Sequence, residues 1–483
     1  MEMATAPLIL WFRDDLRLAD HAPLRAAAAK GVPLIAVFIL DDATAGKWRL
    51  GGASRWWLHQ SLASLAADME SRGGRLILRR GDSLEILCGL AREHQAQAQA
   101  LYFHRGYEPA AVALEARLWR ELGASLEMRR FRGRLLHEPE QVRNGAGEPF
   151  RVFTPFWKAC LRLPEPEAAL PAPARLAPPP PGVEGLELDD LALLPRGKDW
   201  AAGLREAWRP GEVGAGRRLE AFVEEGIRAY ADDRDRPGHQ GTSRLSPHLH
   251  FGEISPRQVW EAVRSLQAAE GASGRGGDAF LRELGWREFC HHLLFHWPGM
   301  PDQPFNPSFA AFPWRDDETA FTAWSRGETG YPLVDAGMRE LWYTGWMHNR
   351  VRMVAASFLV KHLLVPWQRG QDWFWDTLVD ADLANNAGGW QWVAGCGADA
   401  APYFRIFNPV LQGQKFDTRG DYVRHWLPEL RRLPDKYLHA PFSADKAILA
   451  AAGVRLGLDY PAPLVEHEVA RQRALAALAV TKG

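Results

Sequence analysis

The chain has little cysteine, no long apolar run and no excess of charge of either sign. Its four cysteines, Cys88, Cys160, Cys290 and Cys396, lie far apart without a CxxC pair, so neither a disulfide framework nor a metal site is indicated. The apolar start at Leu8 is too short for a signal segment, and no run is long enough to span a membrane. These absences favour a reduced cytoplasmic protein.

The formal net charge is −1, because 58 lysines and arginines face 59 acidic residues. Any contact with nucleic acid must therefore come from a local basic groove and not from a global positive field. A length of 483 residues exceeds what a single core usually supports, so we expect two domains. The one unusual abundance is tryptophan, with 21 copies, most of them after residue 200.

Short apolar runs in the first 130 residues predict five β-strands. The runs are LILWF from Leu8, PLIAVFIL from Pro33, RLILRR from Arg75, ALYFH from Ala100 and SLEMRRF from Ser125. Between two of them, Leu58, Leu62, Leu65 and Met69 keep helical spacing. Alternation of strands and helices predicts a Rossmann-like α/β domain, whose parallel sheet is covered on both faces and collects ligands at the carboxyl ends of its strands.

A proline-rich stretch at residues 164–181, PEPEAALPAPARLAPPPP, favours an extended and fairly stiff connector. After about Trp200 the strand-like runs give way to helical stretches broken by glycine and proline. The sequence therefore predicts an α/β domain at residues 1–133, a connector at 134–204 and an all-helical domain at 205–483.

The run from Thr242 to Ser246, TSRLS, concentrates hydroxyls and a guanidinium just before Pro247, a favoured first residue of a helix. Hydroxyls and free backbone N–H groups at a helix start suit a diphosphate. An ordinary helix cap is the alternative, and this run alone favours it.

Acidic and amide side chains precede two tryptophans in the stretch DTLVDADLANNAGGWQW. Asp380, Asp382 and Asn386 stand just before Trp390 and Trp392. Carboxylates in an apolar setting are costly unless they are paired or hydrogen-bonded to a polar ligand. Capping of a helix that begins near Leu383 is a plausible alternative for one of the two aspartates, but not for both.

Two further stretches place polar side chains at helical spacing. Glu283, Trp286 and Arg287 follow the i, i+3, i+4 pattern, and GWMHNRVRM places Asn349, Arg350, Arg352 and Met353 similarly. Singly, each stretch is typical of an amphipathic helix. Together they bring carboxylate, amide, guanidinium, thioether and indole groups into one domain. No hydrolase site or metal site uses this combination of groups.

These four stretches resemble the flavin domain of the DNA photolyase and cryptochrome family, and WFRDDLRLADHAPL at residues 11–24 resembles its opening strand and turn. The resemblance runs from Leu8 to about Lys436. It implies a FAD buried in the helical domain. By motif, Tyr230, Thr242, Ser243, Arg244, Leu245, Ser246 and Arg287 would hold the diphosphate end, Arg352 and Asp380 would pair beside the isoalloxazine, and Asp382 would bond the ring edge.

Asn386 matches the position where photolyases usually carry asparagine, plant cryptochromes aspartate and insect ones cysteine. The resemblance therefore implies light-driven repair of cyclobutane pyrimidine dimers, by electron transfer from excited reduced FAD to a flipped-out lesion in double- or single-stranded DNA. Trp286 and Trp392 would sandwich the dimer, Glu283 would bond its base edges, and Asn349 and Met353 would form the wall. Arg234, Arg350 and Arg405 would bind the DNA backbone.

Trp390, Trp367 and Trp314 match the family's electron chain, with branches through Trp342, Trp346, Trp373 or Trp375 left open. The resemblance also implies an antenna pigment on the N-terminal sheet, which we expect to be 5,10-methenyltetrahydrofolate, with 8-hydroxy-5-deazaflavin or no antenna as alternatives. The folate-binding NE of some bacterial members is absent from GYEPAAVALEAR, where Glu108 is the only nearby carboxylate. A cryptochrome-type photoreceptor and a (6-4) photolyase are the alternative functions. The (6-4) photolyase is disfavoured, because enzymes of that type place histidines where this chain has Asn349 and Met353. We expect a monomer that contacts no membrane.

Overall fold

Buried apolar runs assemble a five-stranded parallel sheet at the start of the chain. The structure is a computed structural model that describes residues 6–92, 98–195, 197–270, 274–400 and 404–481. The strands are β1 Leu8–Phe12, β2 Leu34–Leu40, β3 Leu76–Arg80, β4 Ala100–His104 and β5 Glu127–Phe131. The predicted α/β domain is confirmed, with every strand inside its predicted run.

The strand order is β3-β2-β1-β4-β5, and every neighbouring pair is parallel. Leu8 of β1 pairs with Leu34 of β2 on one side and with Ala100 of β4 on the other. The chain order therefore reverses between β1 and β4, and the crevice at their carboxyl ends is the place where such sheets usually hold ligands.

Five helices accompany the sheet. They are α1 Ala22–Ala29, α2 Asp42–Ala45, α3 Gly52–Glu70, α4 Ser83–Arg92 and α5 Pro109–Leu122. The predicted apolar positions Leu58, Leu62, Leu65 and Met69 are buried on α3 against one face of the sheet. Leu114, Leu118 and Leu122 of α5 cover the other face, so the sheet is enclosed on both sides.

The described chain beyond β5 is helical and forms no further strand. Its helices are α6 Phe153–Cys160, α7 Ala202–Ala207, α8 Glu212–Ala221, α9 Tyr230–Asp233, α10 Ser246–His250, α11 Pro256–Glu270, α12 Arg275–His296, α13 Glu318–Arg326, α14 Pro332–Thr344, α15 Asn349–Ser357, α16 Trp367–Thr377, α17 Leu383–Ala394, α18 Pro409–Phe416, α19 Asp421–Trp426, α20 Asp435–Leu438, α21 Lys446–Ala452 and α22 His467–Val480. The predicted helical domain is confirmed. Within the described ranges, no helix is both long enough and apolar enough to cross a membrane.

Helix α6 lies inside the stretch predicted as a connector, yet it packs into the core of the helical domain through Phe153, Phe156 and Trp157. A Cβ added to Gly285 of α12 would lie 2.5 Å from the Trp157 ring. The absence of a side chain at Gly285 is therefore what lets α6 approach α12 so closely.

Asp20, which is fully buried, joins the two domains. Its carboxylate accepts hydrogen bonds from Ser255 Oγ at 2.5 Å, from Arg257 Nη2 at 2.6 Å and Nε at 3.0 Å, and from the Leu170 N–H at 3.0 Å. One side chain of the α/β domain thus holds the connector and the start of α11 together.

The helical domain also contacts the loop that follows β1. The Leu16 N–H donates to the Phe251 carbonyl at 3.0 Å, and Arg17 Nη1 donates to the Gly252 carbonyl at 2.9 Å. Gly252 has a φ of +65°, and a Cβ there would lie 2.1 Å from the Asp14 carbonyl oxygen. Only glycine fits this contact, so the two domains dock along the reversal point of the sheet.

We expect Asp20→Asn to destabilise the protein by about 3 kcal/mol, because it leaves the Arg257 guanidinium without its carboxylate in a mostly buried setting. The midpoint of thermal unfolding should fall. In a separate limited-proteolysis experiment, cleavage within residues 134–204 should occur earlier than in the unaltered protein. Asp316→Asn is the matched control: Asp316 is 96% exposed, so its change should stay within about 0.5 kcal/mol. Equal midpoints for the two variants would contradict this role of Asp20.

Candidate functional site

A cavity of about 560 Å³ lies between α10, α12, α15 and α17 in the helical domain. This volume is in the range of cavities that hold small molecules. The residues singled out in the sequence that line it are Tyr230, Arg234, Ser243, Leu245, Ser246, Glu283, Trp286, Arg287, Asn349, Arg350, Arg352, Met353, Asp380, Asp382, Asn386, Trp390 and Trp392. The fold therefore brings four distant stretches of the chain to one place.

Asp382 caps α17 and faces two histidines. Its Oδ1 accepts from the Asn385 N–H at 2.8 Å, while its Oδ2 lies 3.4 Å from His291 Nε2 and 3.7 Å from His250 Nδ1. Burial alone raises the pKa of the Asp382 carboxyl, but His291 and His250 outweigh this effect and hold it well below its usual range. Asp382 is therefore an ionised carboxylate at the cavity wall, as well as the cap that the alternative interpretation allowed.

Asp380 forms a two-pronged ion pair with Arg352 of α15. Nη2 and Nη1 of Arg352 lie 2.8 Å and 3.1 Å from the two carboxylate oxygens, and its Nε donates to the Met347 carbonyl at 2.6 Å. Such fork-to-fork pairs fix orientation as well as charge. The pair ties the segment before α17 to α15 at the cavity wall.

Asn386 of α17 is buried and faces the cavity. Its Nδ2 donates to the Gln371 carbonyl of α16 at 3.1 Å. This bond fixes the plane of the amide, which cannot supply a proton as a carboxylic acid could.

The run from Thr242 to Ser246 surrounds an arginine in an unusual backbone conformation. Arg244 has a φ of +52°, and its guanidinium carbon lies 5.0 Å from the Trp208 ring and 4.4 Å from the Trp346 ring. Burial lowers the pKa of Arg244. Ser243 and Ser246 face the cavity, whereas Thr242 and Arg244 do not line it. Arg244 therefore supports the cavity wall from behind.

Trp286 presents one ring face to the cavity and stacks its other face on Phe153. The two ring centroids are 3.8 Å apart, with an interplanar angle of 8°. Phe153 belongs to α6 and carried no signal in the sequence, because nothing there connects residue 153 with α12. Trp392 also lines the cavity, and Arg405, which does not, lies with its guanidinium carbon 5.6 Å from the Trp392 ring.

The two arginines expected to contact DNA at the cavity rim are each paired with a carboxylate. Arg234 Nη1 lies 2.5 Å from Glu283 Oε1, and Arg350 Nη2 lies 2.7 Å from Asp235 Oδ2. The sequence analysis named Arg234 but did not single out its neighbour Asp235. Each of these two arginines therefore faces a carboxylate at the cavity rim.

Trp390 is buried at the cavity against a glycine. A Cβ added to Gly370 of α16 would lie 2.1 Å from the Trp390 ring. Trp367 begins the same helix, and Trp314 packs against Phe312 at a centroid distance of 4.3 Å. Neither Trp367 nor Trp314 lines the cavity.

A second line of rings also starts at Trp390. Trp324, which the sequence analysis did not single out, lies 6.1 Å from Trp390 between ring centroids and 5.8 Å from Phe321. Phe321 lies 6.2 Å from Trp373, which stacks on the exposed Trp342 at 6.0 Å. The branch left open through Trp342 and Trp373 is therefore a continuous aromatic path to the surface.

Glu108 lies outside the cavity, in the turn between β4 and α5 where the crevice of the sheet meets the helical domain. Burial and, after it, the charge of Asp14 raise the pKa of the Glu108 carboxyl, while Arg134 opposes them. The structure thus places Glu108 beside the docking surface of the two domains.

One group of three side chains in the described ranges could offer metal ligands: Asp15, His21 and His104. His21 Nδ1 accepts the Leu24 N–H at 3.0 Å, so its proton is on Nε2, which lies 3.0 Å from Asp15 Oδ2. His104 Nδ1 lies 2.7 Å from the same oxygen. Because His21 presents an N–H and no lone pair to the group, this geometry is that of a hydrogen-bonded network.

The cavity suits a large ligand with an aromatic ring and anionic groups. Trp390 Nε1 is buried at the cavity without a hydrogen-bond partner among the described residues. Gly389 leaves open space at the wall, since a Cβ there would meet nothing within 4 Å. Hydroxyls and guanidiniums at one end and a carboxylate and an amide at the other fit a flavin dinucleotide.

A doubly wound α/β domain docked on a helical domain with such a cavity defines a two-domain flavin-binding protein. The family profile described as DNA photolyase matches residues 8–175, and that described as FAD binding domain of DNA photolyase matches residues 280–480. The chain belongs to the DNA photolyase and cryptochrome family.

Individual relatives cover the full chain. A deoxyribodipyrimidine photo-lyase of Agrobacterium fabrum is 50% identical, over 100% of this chain and 99% of the relative. Cryptochrome-1 of Arabidopsis thaliana is 40% identical, over 96% of this chain and 69% of the relative. The crystal structure of a bacterial class III photolyase from Agrobacterium tumefaciens, also 50% identical, has a TM-score of 0.95 and covers 100% of this chain and 99% of its own.

We expect Gly370→Ala to displace the Trp390 ring or α16, because the new methyl group would overlap the indole. Overpacking of this kind costs about 1–3 kcal/mol, so the thermal midpoint should fall and photoreduction of the bound flavin should slow. Gly216→Ala on α8 is the control, since a Cβ there meets nothing within 4 Å. Unchanged photoreduction in Gly370→Ala would show that the close contact has no role.

Proposed function

We propose that this protein repairs cyclobutane pyrimidine dimers in DNA, using light and a reduced FAD. One observation carries the proposal: the same cavity combines the ionised Asp382 and the fixed Asn386 amide with two indoles and a carboxylate at its rim. When bound in the cavity, reduced FAD would donate an electron to the lesion on excitation by light, and the electron would return to the flavin after the ring splits, so that the net reaction is redox-neutral. The protein binds the flavin and the lesion, orients them towards each other and excludes water from the cavity.

The flavin is held between two sets of groups. Tyr230, Ser243, Ser246 and Arg287 line the cavity and would hold the flavin's diphosphate end, together with the rest of the run from Thr242 to Ser246, in which Arg244 supports the wall from behind. Asp382 would bond the ring edge, and the Arg352–Asp380 ion pair would lie beside the ring system. Asn386 offers no acidic proton to the ring, which favours the electron-donating anionic state.

The lesion enters the rim of the cavity. An enzyme that acts on a base must take it out of the duplex and grip it by stacking and edge hydrogen bonds. Trp286, backed by Phe153, and Trp392 supply the stacking faces, and Glu283 accepts from the base edges. Asn349 and Met353 form the wall, and Arg234, Arg350 and Arg405 contact the backbone.

Electrons that reduce the flavin enter through Trp390. The route expected by resemblance continues through Trp367 and Trp314, and the second continues through Trp324 to Trp342. Both routes start at Trp390, because this indole lines the cavity. Its ring contacts Trp324 on the second route, whereas Trp367 belongs to α16, the helix that packs against Trp390 at Gly370.

The α/β domain is where we place an antenna pigment that would pass absorbed light energy to the flavin. We propose 5,10-methenyltetrahydrofolate, with 8-hydroxy-5-deazaflavin or no antenna as the alternatives, and place Glu108 near it at the domain junction. An archaeal neighbour uses a different second pigment: the photolyase from Sulfolobus tokodaii, at 26% identity and a TM-score of 0.81, carries two FAD molecules. We further propose that the enzyme acts as a monomer in the cytoplasm on damaged DNA.

The direct test is repair in vitro. Purified protein, chemically reduced and illuminated with blue light, should restore thymine absorbance in an oligonucleotide that carries a cyclobutane dimer. A matched oligonucleotide with a (6-4) lesion should stay unrepaired. Lack of recovery with the dimer while the flavin responds normally to light would favour the cryptochrome-type photoreceptor, and recovery only with the (6-4) lesion would favour the (6-4) photolyase.

Trp286→Ala should weaken binding of the dimer by about 1–3 kcal/mol, which is the usual stacking contribution per base. Phe153 covers the other face of the Trp286 ring and would line this side of the cavity once the indole is removed. The amount of bound flavin should therefore change little. Fluorescence anisotropy with a dimer-containing oligonucleotide measures the affinity. Trp119→Ala, at an exposed tryptophan of the α/β domain, is the control. Unaltered affinity in Trp286→Ala would remove Trp286 from the lesion site.

Trp390→Phe should stop photoreduction of oxidised flavin and leave repair intact after chemical reduction. Phenylalanine keeps most of the ring contacts with Phe374 and Trp324, but it is far harder to oxidise than indole. Timed illumination followed by absorption spectra gives the photoreduction rate. Normal photoreduction in this variant would mean that electrons enter elsewhere.

A further inference from the structure

Arg282 is an exposed arginine of α12 to which the proposed repair chemistry gives no role. It stands four residues before Trp286, so the two side chains share one face of the helix. The guanidinium carbon of Arg282 lies 5.3 Å from the centroid of the Phe153 ring, and the same ring stacks on Trp286. The charged group is therefore held beside one of the two indoles that we propose for stacking on the lesion.

Arg405 occupies the corresponding place at the other indole. Its guanidinium carbon lies 5.6 Å from the Trp392 ring, and its side chain is also exposed. Asp399 lies between the two arginines, because it accepts the Phe153 N–H at 3.4 Å and lines a small cavity with Arg405. Burial raises the pKa of the Asp399 carboxyl and outweighs the opposing charges of Arg282 and Arg405, which both lie close to it. The two guanidiniums are therefore on the same side of the pocket.

Neither of these two guanidiniums forms an ion pair with a carboxylate in the part of the chain that the structure describes. Arg234 and Arg350 at the cavity rim differ, since each has a carboxylate partner. An exposed guanidinium without such a partner can bind a phosphate and exchange only water for it. Arg282 and Arg405 are therefore the arginines beside the stacking rings that are free to take the DNA backbone.

We propose that Arg282 binds a phosphate of the damaged strand next to the lesion, and that it does so together with Arg405. A dimer that enters between Trp286 and Trp392 carries its sugar–phosphate backbone past the edges of both rings. Because one guanidinium lies beside each ring, a phosphate-binding group is available next to each stacking face. Such contacts fix the position of the strand and carry no information about the bases.

This inference rests on the proposed function, because it assumes that a lesion is bound between the two indoles. The alternative is a packing role, in which Arg282 only covers the Phe153 ring and so keeps Trp286 in place. A packing role would change the affinity for the dimer without changing its dependence on salt. A phosphate contact changes both, because it releases counterions from the DNA.

The test compares Arg282→Gln with the unaltered protein, both as the flavin-loaded full chain. Fluorescence anisotropy measures the affinity for a duplex that carries one cyclobutane dimer, at several salt concentrations. Loss of one phosphate contact should flatten the slope of log affinity against log salt by about 0.9. The fold-loss of affinity should therefore be about three times larger at about 50 mM salt than at about 200 mM salt.

Arg275→Gln is the matched control, because it removes the same charge from the same helix. Arg275 is 79% exposed and is paired with Asp232 at 3.0 Å. This control should leave the salt slope unchanged. Arg282→Lys is the conservative variant: it keeps the charge, so it should keep most of the slope.

A neutral phosphate locates the contact. Methylphosphonate groups replace the phosphates that flank the dimer, one at a time. At one of these positions the replacement should weaken binding by the unaltered protein. It should weaken binding by Arg282→Gln no further, because the partner of that phosphate is already absent.

Several results would overturn the inference. An unchanged slope in Arg282→Gln, or an equal change in Arg275→Gln, would contradict the phosphate contact, as would methylphosphonates that affect both proteins equally at every position. A loss of affinity that is the same at every salt concentration in Arg282→Gln and Arg282→Lys would assign the packing role. If the unaltered protein fails to prefer the damaged duplex, the proposed function fails. If it prefers that duplex and Arg282→Gln keeps the slope, only this inference fails.

Discussion

The carboxylate of Asp382 makes two kinds of contact at once, and the geometry of the cavity depends on both. One oxygen takes the Asn385 N–H and so starts α17, while the other faces His250 of α10 and His291 of α12. Three walls of the cavity therefore meet at one ionised group. Because Asn386, Trp390 and Trp392 all lie on α17, fixing the start of this helix orients the side chains that we propose for flavin binding, for flavin reduction and for the lesion.

The rest of the chain holds this arrangement in place from outside. Helix α6 packs against α12 at Gly285, and its Phe153 supports Trp286 from behind. Asp20 and Gly252 dock the α/β domain onto the segment that leads from α10 to α11. None of the described residues that line the cavity belongs to the α/β domain. This domain nevertheless limits how α10 can move, so it influences the site only through packing contacts.

The sequence predicted the sheet well, because buried parallel strands appear as short apolar runs between helices. It also predicted most of the cavity, because the residues concerned lie in four compact motifs. What it missed are partners that meet only in three dimensions: Phe153 behind Trp286, Trp324 beside Trp390, and Asp235 opposite Arg350. Periodicity and spacing carry no information on such contacts between distant segments. Local spacing also could not tell that Arg244, unlike Ser243, faces away from the cavity.

The central claim is that one cavity holds the flavin at the Asp382 end and the lesion at the Trp286 end. A crystal structure of the reduced protein with a duplex that contains a cyclobutane dimer tests it most directly. The account predicts the dimer flipped out between Trp286 and Trp392, with its base edges at Glu283 and a flavin ring beside Asn386. A dimer that stays stacked in the duplex, or binds away from this cavity, would contradict it.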